Sequence, residues 1–222
     1  MSRRIPLFLL AATALFSTAA FAQAPTSVKI GVLNDQSGVY ADFGGKWSLE
    51  AARLAPSSLN TQPWRYKVVT DPADKAFFAT SRATRSQGFL AGAAAILVCC
   101  AELTGYVRAS QAAAFFLRDT KAIEGDTMAG IEAYVARQEA DPDMARFGAA
   151  AMNVAIANAF MMLRAVEMGL GTCWVGMFDE AAIKERFGLG PELRVVNLLA
   201  VGHPAPSHPG SHNRKPLSAI QV

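Results

Sequence analysis

Ten consecutive residues, Ala55-Pro56-Ser57-Ser58-Leu59-Asn60-Thr61-Gln62-Pro63-Trp64, set polar side chains between two prolines and an aromatic. Ser, Asn and Gln side chains both donate and accept hydrogen bonds, so Ser57, Ser58, Asn60 and Gln62 suit the edge of a planar heteroaromatic ring. The prolines restrict the free loop and lower the entropy lost in holding it. The same residues equally suit a loop that caps itself and binds nothing, and on the residues alone both readings stay open. Two further stretches draw notice. Met168 to Asp179 reads MGLGTCWVGMFD, a glycine-punctuated passage from helix to strand. Arg214-Lys215 is a basic pair of the kind normally solvated in a tail.

The elements that must position these residues are legible from pattern. Trp47 to Ala55 is expected to be a short helix ended by Pro56, and Trp64 to Thr70 a strand. Asp71-Pro72 opens a helix, with Asp71 as N-cap and Pro72 in its first position. Ala94 to Cys100 is a continuous apolar run and reads as a buried strand. Gln111 to Arg137 is helical with a break near Gly125. Met144 to Met168 is the clearest helix, with Met152, Ile156, Phe160 and Leu163 expected to face the core, alanines between them, and Gly169 as its stop. That alanine content also permits close helix approach and suits a dimer core. Thr172 to Val175, Glu180 to Phe187 and Leu193 to Val201 complete a strand, a helix and a strand. The class is α+β, a central mixed sheet flanked by helices.

On the run A-P-S-S-x-N-x-Q-P-W the chain resembles the FMN-dependent nitroreductase family. The resemblance implies that Pro56, Ser57, Ser58 and Asn60 lie against the flavin, partly from a neighbouring subunit, with Gln62 in the same motif. Met168 to Asp179 is similar to the family segment that passes the flavin's reactive face. It implies a backbone N–H from Trp174, Val175, Gly176 or Met177 directed at flavin N5, and Gly176 suits such a close approach. VVNLLAVGH at 195–203 and the later Arg214-Lys215-Pro216-Leu217 also match. They imply a phosphate contact, with Arg214 as a fork and Lys215 as a point charge. The implied protein is a homodimer holding FMN. It uses NADH or NADPH as co-substrate and reduces a small-molecule electron acceptor such as a nitroaromatic or quinone. The cofactor then carries the chemistry and no side-chain acid or nucleophile is required. The resemblance covers about residues 49–217.

The front of the chain departs from that pattern. The family's Arg-Arg-Ser-x-Arg-like run, which grips the FMN phosphate, is missing, and so is its long first helix. Each charge-assisted bond to a phosphate is worth roughly 1.5–3 kcal/mol, so the loss bears on affinity. Residues 1–24 read instead as a signal peptide: Ser2-Arg3-Arg4, an apolar stretch from Ile5 to Phe21, then Ala22-Gln23-Ala24. Val28 to Ala52, with a strand at Val28 to Leu33 and a loop from Asn34 to Gly45, is similar to the mature start of periplasmic receptors for branched-chain amino acids. The expected domains are a signal peptide at 1–24, a receptor-like fragment at 25–46 and the flavin domain at 47–222. The two resemblances meet at Glu50 to Ala55, where a recombination or an assembly error accounts for the join. A solute-binding protein of an ABC transporter and a non-functional fusion are the alternative functions. The signal implies the periplasm, whereas the flavin domain resembles cytoplasmic enzymes.

Composition excludes other classes. A net charge of +3, with Lys and Arg scattered, gives no nucleic-acid stripe. After signal removal no later segment reads as an unbroken membrane span. Cys99, Cys100 and Cys173 are expected to be buried thiols, Cys99 and Cys100 on opposite sheet faces. Glu102, Glu132 and Glu167 are expected to be solvated or paired. His203, His208 and His212 lie in a tail without metal-ligand spacing, and His203 is a strand-end residue.

Overall fold

Proline and glycine set most of the element boundaries. The computed structural model describes residues 46–141, 144–204 and 214–221. The expected signal peptide and the expected receptor-like strand and loop therefore lie outside the described residues. α1 (Lys46–Arg53) ends before Pro56. β1 (Trp64–Val69) leads to α2 (Pro72–Phe78), where the Asp71 carboxylate accepts the N–H groups of Ala73 and Asp74. After α3 (Ser81–Thr84) comes β2 (Ala95–Glu102), buried over all but its last residue. α4 (Leu103–Asp119) begins well before the expected Gln111, and α5 (Gly125–Ala140) is a separate helix, so the break expected near Gly125 is wider than one residue. α6 (Met144–Glu167) ends at Gly169, φ +74°, where Leu170 N–H reaches back to Ala165 O and Gly169 N–H to Val166 O. This paired motif satisfies carbonyls that the last turn leaves open. β3 (Gly171–Val175), α7 (Glu180–Phe187) and β4 (Leu193–Gly202) follow.

The sheet order is β1-β2-β4-β3, and every neighbouring pair is antiparallel. The class is α+β as expected, but the described sheet is antiparallel rather than mixed. Alternating helices and strands suggested parallel crossovers. Here the helices between β1 and β2, and between β3 and β4, return the chain beside its own predecessor. One sheet face packs Leu97, Cys99 and Leu199 against α1, α4 and α6. The other packs Ile96, Val98, Cys100 and Leu198 against α2, α3 and α7.

α6 turns a different side to the sheet from the one expected. Ala150, Val154, Ala157, Met161 and Ala165 face the core, with Asn153 and Asn158 buried among them. Met152 and Leu163 are exposed, while Ile156 and Phe160 are half-buried. A helix apolar on most of its surface satisfies the three-and-four spacing on more than one side. The alanine side admits the closer approach to a flat sheet. The residues from Phe147 to Glu167 are long and apolar enough to cross a membrane by length and composition. Yet this helix carries Asn153, Asn158 and Arg164 and supplies one face of the core. Asn158 Nδ2 donates to Asn197 Oδ1 of β4 at 2.7 Å, so both amides enter the core as a pair.

The thiols divide two to one. Cys99 and Cys100 are buried on opposite faces, but Cys173 is exposed on the edge strand β3, contrary to expectation. An edge strand with one covered face exposes alternate side chains, and the short run Thr172–Val175 does not reveal which. Burial pushes the Cys100 thiol from near 9 up to about 12, with the nearby Glu180 carboxylate adding to it. Burial raises Cys99 as well, with Cys100 beside it. At pH 8 a thiol reagent should therefore label Cys173 alone in the native chain and all three cysteines after denaturation, because the thiolate is the nucleophile. Above pH 9 the unfolded chain ionises Cys100 first, so this group's contribution to stability should fall progressively between pH 9 and about 12. Two or more labelled thiols in the native chain would contradict this packing.

Candidate functional site

The loop from Pro56 to Pro63 is built from strained backbone held by long-range contacts. Ser57 Oγ accepts the Gln62 N–H at 3.0 Å, and Asn60 and Thr61 N–H close onto the Ser57 and Ser58 carbonyls at 3.0 Å. Leu59, Asn60 and Gln62 have φ of 49°, 53° and 47°, a left-handed region that favours glycine. Such residues persist where their surroundings over-determine them. The Leu59 side chain packs against the small α4–α5 cluster of Ala114, Met128 and Val135. Asn153, 1% exposed on α6, supplies the other hold. Its Oδ1 accepts Ser58 N–H at 2.9 Å and Ser58 Oγ–H at 3.4 Å, while its Nδ2 donates to Ala149 O at 3.0 Å. Part of the loop thus caps itself, as one reading allowed. Even so, its outward groups are not spent. Pro56, Asn60 and Gln62 are exposed, and Ser57 and Ser58 are half-buried. Gln62 Nε2 donates to Asn60 Oδ1 at 3.1 Å, an exposed bond that a ligand edge can replace at little cost.

The second segment leaves β3. Val175 is buried and pairs with Leu198, whereas Trp174 is 39% and Met177 61% exposed. A Cβ built on Gly176 meets nothing within 4 Å, so packing does not demand glycine there and the space before it is open. Two bonds fix this passage from α3 and the turn after it: Asp179 N–H to Ala83 O at 2.7 Å, and Gln87 Nε2 to Met177 O at 2.8 Å. Arg214 and Lys215 are exposed ahead of a short turn at Leu217–Ala219. The chain joining them to β4 lies outside the described residues.

Topology keeps the first two segments apart within one chain. The loop at 57–62 feeds β1 and the passage at 174–177 leaves β3, the two edge strands of the sheet. Three interstrand spacings separate those edges, about 14 Å at roughly 4.8 Å each. No hydrogen bond among the described residues joins the loop, the passage or the basic pair to one another.

The remaining groups fall into place around this frame. A groove of about 740 Å³ runs beside the first half of β3, lined in part by Phe89, Ala93, Cys173, Val201 and His203. Arg65 pairs with Glu102, Arg118 with Glu132 at 3.2 Å and Arg164 with Glu167 at 2.6 Å, so all three carboxylates are paired. His203 is exposed just past the end of β4. Among the described residues no group of His, Cys, Asp and Glu is arranged to hold a metal ion. Sequence reasoning missed Asn153 and Gln87. Both reach partners about ninety residues away, and only Asn153, a buried amide inside an apolar helix, carried any signal.

Comparison with known proteins bears on what this arrangement is. The profile of the Nitroreductase family matches residues 48–203. A Thermus thermophilus protein named NADH dehydrogenase is 30% identical over 172 residues, covering 78% of this chain and 80% of that protein. A Bacillus subtilis protein assigned as an NAD(P)H nitroreductase is 30% identical over 181 residues, 78% and 82% of the two chains. Among solved structures, ydfN of Bacillus subtilis, assigned as a nitroreductase, superposes with a TM-score of 0.64 at 21% identity, covering 79% of this chain and 84% of that one. A protein of Exiguobacterium sibiricum assigned as a nitroreductase, solved in complex with FMN, has a TM-score of 0.59 at 22% identity, covering 79% and 83%. At these identities the solved structures establish a shared fold.

Proposed function

The chain belongs to the nitroreductase family, and from that premise we propose that it is an FMN-dependent NAD(P)H oxidoreductase acting as a homodimer on a small-molecule acceptor such as a nitroaromatic or quinone. FMN, when bound, supplies the redox chemistry, taking hydride from NADH or NADPH and passing electrons to the acceptor. The donor set suits that group. Ser57, Ser58, Asn60 and Gln62, on a backbone already fixed by Asn153 and Leu59, offer donors and acceptors to a ring edge. Pro56 holds the loop's entry. On the passage Trp174, Val175, Gly176 and Met177, the main-chain N–H groups beyond the ladder end at Val175 lie beside open space at Gly176. Arg214 and Lys215 hold the phosphate, one as a planar fork and one as a point charge.

The observation that carries the dimer is the separation of the two segments on opposite sheet edges. One ring touches both most directly when the loop comes from a second copy. Met152, Leu163 and Val166 on α6 and Leu54 beyond α1 leave an apolar surface that such a copy would cover. Titration of the purified protein with FMN, followed by flavin fluorescence and light scattering, tests the reading. Saturable quenching with one FMN per chain in a dimer is expected. A monomer that quenches nothing sinks the proposal. Tight binding of an aliphatic amino acid by a colourless protein would favour the solute-binding alternative suggested by residues 28–52.

A further inference from the structure

The passage at 176–178 belongs to no strand or helix, and one side chain reaches it from elsewhere in the fold. The ladder of β3 ends at Val175 opposite Leu198. Beyond it, Gln87 Nε2 donates to Met177 O at 2.8 Å and to Thr84 O at 3.0 Å. The Gln87 N–H donates to Thr84 Oγ1 at 3.4 Å. Thr84 is fully buried, and its hydroxyl donates to Phe78 O. Gln87 is therefore fixed at its base before it reaches across. The two residues before it, Arg85 and Ser86, hold φ of 54° and 65° without being glycine. Consecutive left-handed residues are costly and need a reason in their surroundings. Here they deliver the Gln87 amide to a carbonyl ninety residues away in sequence.

We propose that Gln87 is a positioning residue for the reactive face of the site. Pinning the Met177 carbonyl fixes the 177–178 peptide plane. That plane carries the Phe178 N–H, and together with the ladder end at Val175 it bounds the two planes between them, which carry the Gly176 and Met177 N–H groups. The companion bond from Asp179 to Ala83 holds the passage in place but leaves that plane free to turn. Its functional half rests on the flavoprotein reading; its structural half does not.

The test uses the full chain carrying Gln87→Met, of similar length without the donor. A second variant, Gln87→Glu, replaces the donor with an acceptor facing the carbonyl. In protein without FMN, the NMR order parameters of the 176–178 amides should fall from about 0.85 toward about 0.6 in Gln87→Met, and further in Gln87→Glu. Those of β2 and β4 should not change. With FMN bound, the single-turnover rate of flavin reduction should fall about tenfold and the visible flavin band should shift. The FMN dissociation constant should move by less than about threefold, because the loop and the basic pair are untouched. Unchanged order parameters at 176–178 in both variants overturn the proposal, whether or not FMN binds. Lower order parameters with a wild-type reduction rate and spectrum overturn the positioning role and leave a structural brace. A wild-type chain that binds no FMN removes the flavoprotein reading, while the order parameters still decide the clamp.

Discussion

The Arg214→Ala, Lys215→Ala double variant is expected to lose FMN affinity by at least about a hundredfold. A phosphate held by two charged donors gains roughly 1.5 kcal/mol or more from each, and about 2.8 kcal/mol is a factor of a hundred. On the proposed reading the pair carries an unusual share of that load. The family's N-terminal arginine run has no counterpart between Ala24 and Trp47, where Lys29 and Lys46 are the sole basic residues. Both side chains are exposed in the free chain, so salt should screen the interaction. The wild-type dissociation constant should therefore rise between low and physiological ionic strength, and the double variant's should respond less. Isothermal titration with FMN and with riboflavin reads the effect directly. Riboflavin lacks the phosphate and should bind wild type and variant alike. If the variant binds FMN as tightly as wild type, the basic pair is a solvated tail pair and the phosphate is held elsewhere.

The second large effect is expected at Asn153, which no ligand need touch. Asn153→Ala removes the acceptor of the Ser58 N–H and hydroxyl in a place that is 1% exposed. Leaving a buried donor unpaired costs about 1–3 kcal/mol. For a domain of this size that is a fall in melting temperature of about 2–12 °C. FMN affinity should fall about tenfold as well, because the left-handed loop loses one of its two holds and must be ordered by the ligand. Asn153→Asp separates the two effects. It keeps an oxygen for the Ser58 donors but loses the bond to Ala149 O and adds a buried charge. It should melt below wild type yet bind FMN within about threefold of it. Wild-type FMN affinity in Asn153→Ala would show that the loop's shape does not depend on α6.

The local signals in the sequence read well because they act over a few residues. Asp71-Pro72 caps α2 with two N–H groups on one carboxylate. Gly169 and Gly188 stop α6 and α7 at φ +74° and +62°. The run from Pro56 to Trp64 announced a polar, constrained loop, and the family profile bears out the ancestry that it suggested. Readings that needed a partner fared differently. The face of α6 could not be chosen from spacing, because Met152 and Leu163 satisfy it as well as Val154 and Met161 do. Exposure of Cys173 followed from β3 being an edge strand, a property of the strand order.

By itself, then, the sequence determined what short-range chemistry can determine: the caps and stops at Asp71-Pro72 and Gly169, the buried run of β2, and a constrained polar loop ahead of β1. The tertiary structure decided direction and partnership. It made the sheet antiparallel, turned the alanine side of α6 inward, placed Asn153 beneath Ser58 and carried Gln87 to Met177. It also set the loop at 57–62 and the passage at 174–177 on opposite edges. The reason is physical. Capping and turn energies depend on neighbours within about four residues, whereas register, facing and long-range hydrogen bonds are selected by the packing of the whole core.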